Sequence, residues 1–149
     1  QRLINMIDEE DWSSMDVDVK GEAFEGLLEK SASEGKKGAG QYFTPRPLIQ
    51  SMVRVMKPDP RTKADFTIAD PSCGTGGFLI AAYEWLMKET KGALDRDSIK
   101  RIKNKTYYGQ ELVPRPARLA MMNLFLHGVT SEIKIGDTIY EPFDGKKFD

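Results

Sequence analysis

The chain has 149 residues, of which 40% are hydrophobic and 30% charged, with 22 Lys and Arg against 23 Asp and Glu. That length suits one ordinary domain or a piece of a larger one, and the balance of residues is that of a soluble globular protein. A purely electrostatic DNA-binding module is expected to be basic, so the near-zero net charge excludes that class and makes any DNA contact local or external to this stretch.

The single cysteine, Cys73, excludes an internal disulfide and fits a reducing compartment. No apolar run approaches the roughly 20 residues that span a membrane. No secretory signal pattern opens the chain, and Gln1 suggests an internal cut. The expected location is the cytoplasm.

In chain order, Leu3, Ile4 and Ile7 read as the end of a helix, and Asp8 to Asp11 as a solvated acidic connector. Val17 to Ala32 predicts a helix with Phe24, Leu27 and Leu28 on its apolar face. Gly21 and Gly26 each weaken that helix by about 1 kcal/mol relative to alanine. Ser33 to Gly40 is small, polar and glycine-rich, a flexible loop. Gln41-Tyr42-Phe43-Thr44-Pro45-Arg46 follows. Thr44 suits an N-cap and Pro45 the first helical position. Leu48, Ile49, Met52, Val53 and Met56 then form a helical stripe against a core.

Pro58 and Pro60 mark a loop leading to a short strand at Phe66-Thr67-Ile68-Ala69. Asp70-Pro71-Ser72-Cys73-Gly74-Thr75-Gly76-Gly77-Phe78 joins that strand to a helix whose apolar positions begin at Phe78 and Leu79 and which ends near Thr90. Three glycines in four positions permit positive φ and close approach of a ligand to the backbone. Free N–H groups at the helix start favour an electronegative ligand group. The turn does not spell the G-x-G-x-x-G dinucleotide fingerprint, and Cys73 reads as a small buried hydrophobe.

Asp95 to Lys103 predicts a short basic helix with a solvated face. Thr106 to Gln110 is a β-prone second strand ending at Glu111. An acidic residue there takes a ribose hydroxyl pair in nucleotide-binding α/β folds, because a carboxylate accepts two hydrogen bonds at once. Its separation from Asp70 is about twice the roughly 20 residues of a compact dinucleotide unit, and the extra helix fills the surplus. Pro114 and Pro116 open the next helix, with Ala117, Ala120, Met121, Leu124 and Phe125 as core positions and Asn123 as a buried amide. Met122 also reads as a packing residue. His127 sits at that helix's C-terminus, in a capping or dipole-stabilised role. Glu132 to Ile135 predicts a third strand running into Gly136-Asp137-Thr138, and Phe148-Asp149 the start of another. Alternating strands and helices predict an α/β doubly wound sheet, with ligands at the carboxyl ends of the strands.

The segment Asp70 to Phe78 resembles the first motif of S-adenosylmethionine-dependent methyltransferases, in the form typical of adenine-specific DNA methyltransferases. Tyr42-Phe43-Thr44-Pro45 resembles the aromatic-Thr-Pro segment that covers the cofactor's methionine end in the same enzymes. Tyr108-Gly109-Gln110-Glu111 resembles their second motif, and Gly136-Asp137-Thr138 the position that binds the adenine ring. Gln41 to Arg46 taken with Asp70 to Leu79 most closely resembles the modification subunit of type I restriction–modification systems, over roughly Gly21 to the end. The resemblance implies a Rossmann-like methyltransferase fold, a partial doubly wound sheet preceded by a helical segment. It divides the chain into 1–40, the end of an upstream helical region and a loop, and 41–149, the cofactor-binding half of a methyltransferase domain.

The implied chemistry is methyl transfer from S-adenosylmethionine to the exocyclic amine of a flipped adenine in DNA; flipping costs a few kcal/mol. Asp70 and the turn through Pro71, Ser72, Cys73, Gly74, Thr75, Gly76, Gly77 and Phe78 would hold the methionine end. Gln41, Tyr42, Phe43, Thr44, Pro45 and Arg46 would lie against it, Glu111 would hold the ribose, and Asp137 with Thr138 the adenine. The Asn-Pro-Pro-Phe or Asn-Pro-Pro-Tyr tetrapeptide that grips the target amine in the family does not occur here, so the catalytic residues are expected after Asp149 and no metal is expected. Implied partners are DNA and the specificity and restriction subunits. The alternatives are a nicotinamide-dependent oxidoreductase, a single-chain restriction–methylation protein and a non-catalytic assembly module.

Overall fold

The computed structural model describes residues 2–15, 20–21, 23–24, 26–28, 30, 44–141, 143 and 146–149. Within them the elements are helix α1 (Arg2–Asp8), α2 (Arg46–Met56), strand β1 (Ile68–Asp70), α3 (Gly77–Thr90), α4 (Arg96–Lys105), β2 (Tyr107–Glu111), α5 (Pro114–Leu126) and β3 (Glu132–Ile135). The described residues from Lys20 to Lys30 are helical as well, inside the predicted Val17–Ala32 stretch. The loop predicted for 33–40, and Gln41, Tyr42 and Phe43, lie outside the described residues.

The strands form one parallel sheet in the order β1-β2-β3, with Asp70 opposite Gly109 and Glu111 opposite Ile135. Parallel neighbours need helical crossovers. Here α3 and α4 link β1 to β2, and α5 links β2 to β3. Both α3 and α5 pack on one face, where Leu79, Ile80, Leu86, Ala117, Ala120 and Leu124 surround Tyr107 and Ile133. Period-two alternation sends Tyr108 to the other face. There the C-terminal segment covers it, with Phe148 at 5.5 Å and the Lys146 ammonium 4.5 Å from its ring centroid.

Gly109 is required by close packing in the central strand. A Cβ there would stand 2.5 Å from Ile133 Cδ1 and 3.0 Å from Cys73 Sγ. At the other edge of β1, Asp149 N–H donates to Thr67 O and its carboxylate accepts from Thr67 N–H, each at 3.1 Å. Ile68 N–H points the opposite way, to Thr106 O at 2.7 Å. The final residue therefore lies where the predicted next strand would begin.

Four expectations are corrected. The N-cap of α2 is Pro45, not Thr44, and no side chain caps the helix. Pro45 O accepts from Leu48 and Ile49 N–H, and the missing proline donor falls harmlessly in the first turn at Pro47. The α2 stripe is narrower than predicted: only Ile49 and Val53 are buried, against Ala81, while Leu48, Met52 and Met56 are exposed. On α5, Met121 and Phe125 face outward, Phe125 at 77% exposure, and Met122 does too. In both helices a single packed partner surface accommodates fewer rows than the sequence offers. Finally, α4 is not simply solvated. The Arg101 guanidinium donates to Ala64 O and Pro60 O, each at 2.9 Å, and fastens the loop before β1.

Candidate functional site

The carboxyl ends of the three strands meet at the glycine turn. Asp70 closes β1, and its Oδ1 accepts from Ser72 N–H at 3.1 Å. Burial pushes the Asp70 carboxyl above its ordinary value; the Ser72 hydrogen bond opposes this and the nearby Glu111 charge adds to it. Cys73 is tied to β2 by its N–H on Gln110 O at 2.9 Å, and its side chain is buried. Burial first, then the negative charges of Asp70 and Glu111, push its thiol up to about 12. Cys73 is thus a protonated packing residue with no nucleophilic role at neutral pH.

Gly74 and Gly76 take φ of 53° and 84°, the left-handed region that glycine enters without strain. A Cβ on Gly74 would meet nothing within 4 Å, so the turn there faces open space. Gly76 is the N-cap of α3, and no side chain caps that helix. Gly77 lets α2 approach, since a Cβ would lie 3.2 Å from Ile49 Cδ1. Phe78 packs with Ile49, Val53 and Ala81.

Glu111 reaches back across the sheet. Its Oε2 accepts from Gly74 N–H and its Oε1 from Val113 N–H, each at 2.9 Å. A carboxylate offers about four lone-pair positions, so each oxygen keeps one for a further donor. From the loop after β3, the Thr138 hydroxyl donates to Pro71 O. Asp137 Oδ1 accepts from Ile139 N–H at 2.9 Å, a local turn that leaves Oδ2 for other donors. Asp70, Pro71, Ser72, Cys73, Gly74, Glu111, Asp137 and Thr138 are therefore brought together. Thr44, Pro45 and Arg46 sit at the start of α2 instead, and Arg46 Nη2 donates to Glu84 Oε1 on α3 at 3.3 Å.

Three side chains that frame this arrangement had no functional reading in the sequence. Gln110, fully buried, donates from Nε2 to Glu141 O at 2.9 Å, and Glu141 N–H donates to Asp137 O, which holds the Asp137–Thr138 loop against β2. Asn123 Nδ2 donates to Thr75 O at 3.1 Å and steadies the glycine turn from α5. Glu84 lies between Arg46 and His127. A polar residue inside an apolar helical stripe was a usable signal for Asn123; nothing in the sequence singles out Glu84. His127 does end α5 as predicted, with its N–H bonded to carbonyls of the last turn, but its ring is also buried.

Among the described residues, no group of three or more His, Cys, Asp and Glu is placed to hold a metal ion, and no helix is long and apolar enough to cross a membrane. The family described as N-6 DNA methylase matches residues 15–149. The chain is 41% identical to the methylase subunit of the type I restriction enzyme StySPI from Salmonella potsdam, and 40% identical to that of EcoKI from Escherichia coli K12. Each match runs over 143 residues, 92% of this chain and 26% of the relative, so the chain spans about a quarter of their length. A solved structure from a type I restriction–modification system, concerned with complex assembly and conformational transition, superposes with a TM-score of 0.78 at 29% identity, over 98% of this chain and 29% of that one. The parallel sheet, the glycine turn and these relatives agree: the chain belongs to the N-6 DNA methylase family.

Proposed function

We propose that this chain is the cofactor-binding part of the modification subunit of a type I restriction–modification system, which methylates N6 of adenine in DNA. The observation that carries this reading is the pair of bonds converging on the glycine turn, Glu111 to Gly74 N–H from β2 and Thr138 to Pro71 O from the β3 loop. They bind three strand ends into one seat, with a carboxylate at each end and open space over Gly74.

The residues fit S-adenosylmethionine, which supplies a methyl group on a sulfonium. Asp70 and the uncapped N-terminus of α3 would take the amino and carboxylate groups of the methionine end. The remaining lone pairs of Glu111 suit the two ribose hydroxyls, and Asp137 with Thr138 suits the adenine edge. The segment before α2, with Phe43, would close over the methionine end. Holding the donor is half of the reaction; placing the acceptor can contribute up to about 7–11 kcal/mol more of the barrier reduction. The Asn-Pro-Pro tetrapeptide that would place it is not among these residues, and we assign it to the remainder of the protein, where relatives of this family are about four times longer. The division at 1–40 and 41–149, the DNA and subunit partners and a cytoplasmic location belong to the same reading.

The test is incubation of the full-length subunit and its specificity partner with methyl-labelled S-adenosylmethionine and duplex DNA, followed by digestion to nucleosides. Label in N6-methyladenine is expected. Label in cytosine, or none with intact protein that binds the cofactor, contradicts the proposal.

A further inference from the structure

Strand β2 ends in two neighbouring polar residues that go to opposite faces of the sheet. Glu111 reaches the glycine turn, at Gly74 N–H. Gln110 shares the face of Tyr108 and is fully buried there. Its Nε2 donates to Glu141 O at 2.9 Å. A carbonyl only accepts, which assigns the amide nitrogen, not the oxygen, to that side. Glu141 N–H in turn donates to Asp137 O at 2.7 Å, closing residues 137–141 into a loop. Within it Ile139 and Tyr140 are 85% and 83% exposed, so they give the loop no apolar anchor. Gly136, just before it, donates its N–H to Glu111 O at 3.1 Å. A Cβ on Gly136 would stand 2.8 Å from Glu141 Oε2 and 3.4 Å from Gln110 Nε2, so the loop lies close over Gln110.

We propose that Gln110 is a positioning residue for recognition of the adenine end of S-adenosylmethionine: through Glu141 it holds the loop from which Asp137 would accept from the ring's exocyclic amine. The inference rests on the proposed function, which gives the adenine edge to Asp137 and Thr138. Asp137 Oδ1 is engaged by Ile139 N–H, so the loop's own conformation sets the carboxylate. Thr138 ties one side of that loop to Pro71 O, and Gln110 ties the other to the sheet. The cost of the amide points the same way. Gln110 Oε1 is buried with no hydrogen-bond partner among the described residues. A buried amide with a bare oxygen serves a core less well than an apolar side chain of its size. What the amide adds at this position is the donor to Glu141 O. An adenine amine donates where the 6-oxo group of hypoxanthine accepts, so a carboxylate held at that edge separates the two rings.

The experiment is calorimetric titration of the full-length subunit with S-adenosylhomocysteine and with S-inosylhomocysteine, in which a 6-oxo group replaces the 6-amino group. The parent is expected to prefer the adenosyl ligand by about tenfold or more, as the loss of a hydrogen bond to a charged group implies. Gln110→Met keeps the length and the burial and has no donor. Its preference should fall about three- to tenfold, the scale on which residues acting through a contact network change binding. A merely structural defect lowers the number of sites titrated and leaves the ratio of affinities unchanged. Asp137→Asn should lose the preference as well, and adding Gln110→Met to it should cause no further fall, because both act through one carboxylate. An unchanged ratio in Gln110→Met, losses that add in the double variant, or a parent without preference overturns the inference. If Gln110→Met does not fold, Glu141→Pro, at an exposed position, removes the N–H that closes on Asp137. The same fall is expected there, and a parental ratio overturns the inference. A parent that binds neither ligand overturns the proposed function as well, whereas a binding parent indifferent to Gln110→Met overturns the inference alone.

Discussion

Asp70 is held at a cost to the fold. An acid whose carboxyl is raised by burial binds its proton more tightly in the folded chain than in the unfolded one. Stability then falls as pH climbs from the ordinary carboxylate value of 3.8 towards the raised folded value, and the loss is complete above both. Asp70→Asn keeps an oxygen for Ser72 N–H and removes the charge. Its thermal unfolding midpoint at pH 7 should exceed the parent's, and the advantage should shrink as pH is lowered into the carboxylate range. A midpoint at or below the parent's at pH 7 would contradict this. Strained or destabilised groups that persist in a fold concentrate where a ligand uses them, which is why the burial of Asp70 is informative. Its position was legible in the sequence as the carboxylate ending a strand. Its partial burial was not, because the contacts that shape the turn beside it, from Glu111 to Gly74 and from Thr138 to Pro71, come from far along the chain.

Among elements, the sheet and its crossovers were readable because each strand is short, β-prone and bounded by turn residues. The third strand matches its predicted range, Glu132–Ile135. The faces of α2 and α5 were misjudged, because periodicity names every apolar position but not how many rows a neighbour covers. Gly109 shows the converse: a glycine within a strand is ambiguous in sequence and unambiguous once Ile133 and Cys73 crowd it. Gly109→Ala should destabilise by roughly 1–3 kcal/mol through overpacking, read by chemical denaturation. Gly21→Ala offers a sharper contrast. Alanine favours a helix by about 1 kcal/mol over glycine, so an isolated helix would gain. With the His127 ring in the way, overpacking costs about 1–3 kcal/mol and the protein should be no more stable, or less. A gain near the full helix propensity in urea titration would show that Gly21 does not rest on His127 in solution.

Across the whole molecule, three of the four motifs, Asp70–Phe78, Tyr108–Glu111 and Gly136–Thr138, fall where strand ends converge, as ligand sites in parallel α/β sheets do. The order of the motifs announced this in the sequence. The cross-loop bonds did not, since each joins residues far apart in the chain. The decisive measurement is calorimetric titration of S-adenosylmethionine into the full-length subunit and its Asp70→Asn variant. One site per subunit is expected in the parent. In the variant, loss of a hydrogen bond to a charged group, worth about 1.5–3 kcal/mol, should weaken binding roughly ten- to a hundredfold while the unfolding midpoint does not fall. Equal affinity in parent and variant, or no heat from a folded parent, would contradict the assignment of the three strand ends as the cofactor seat.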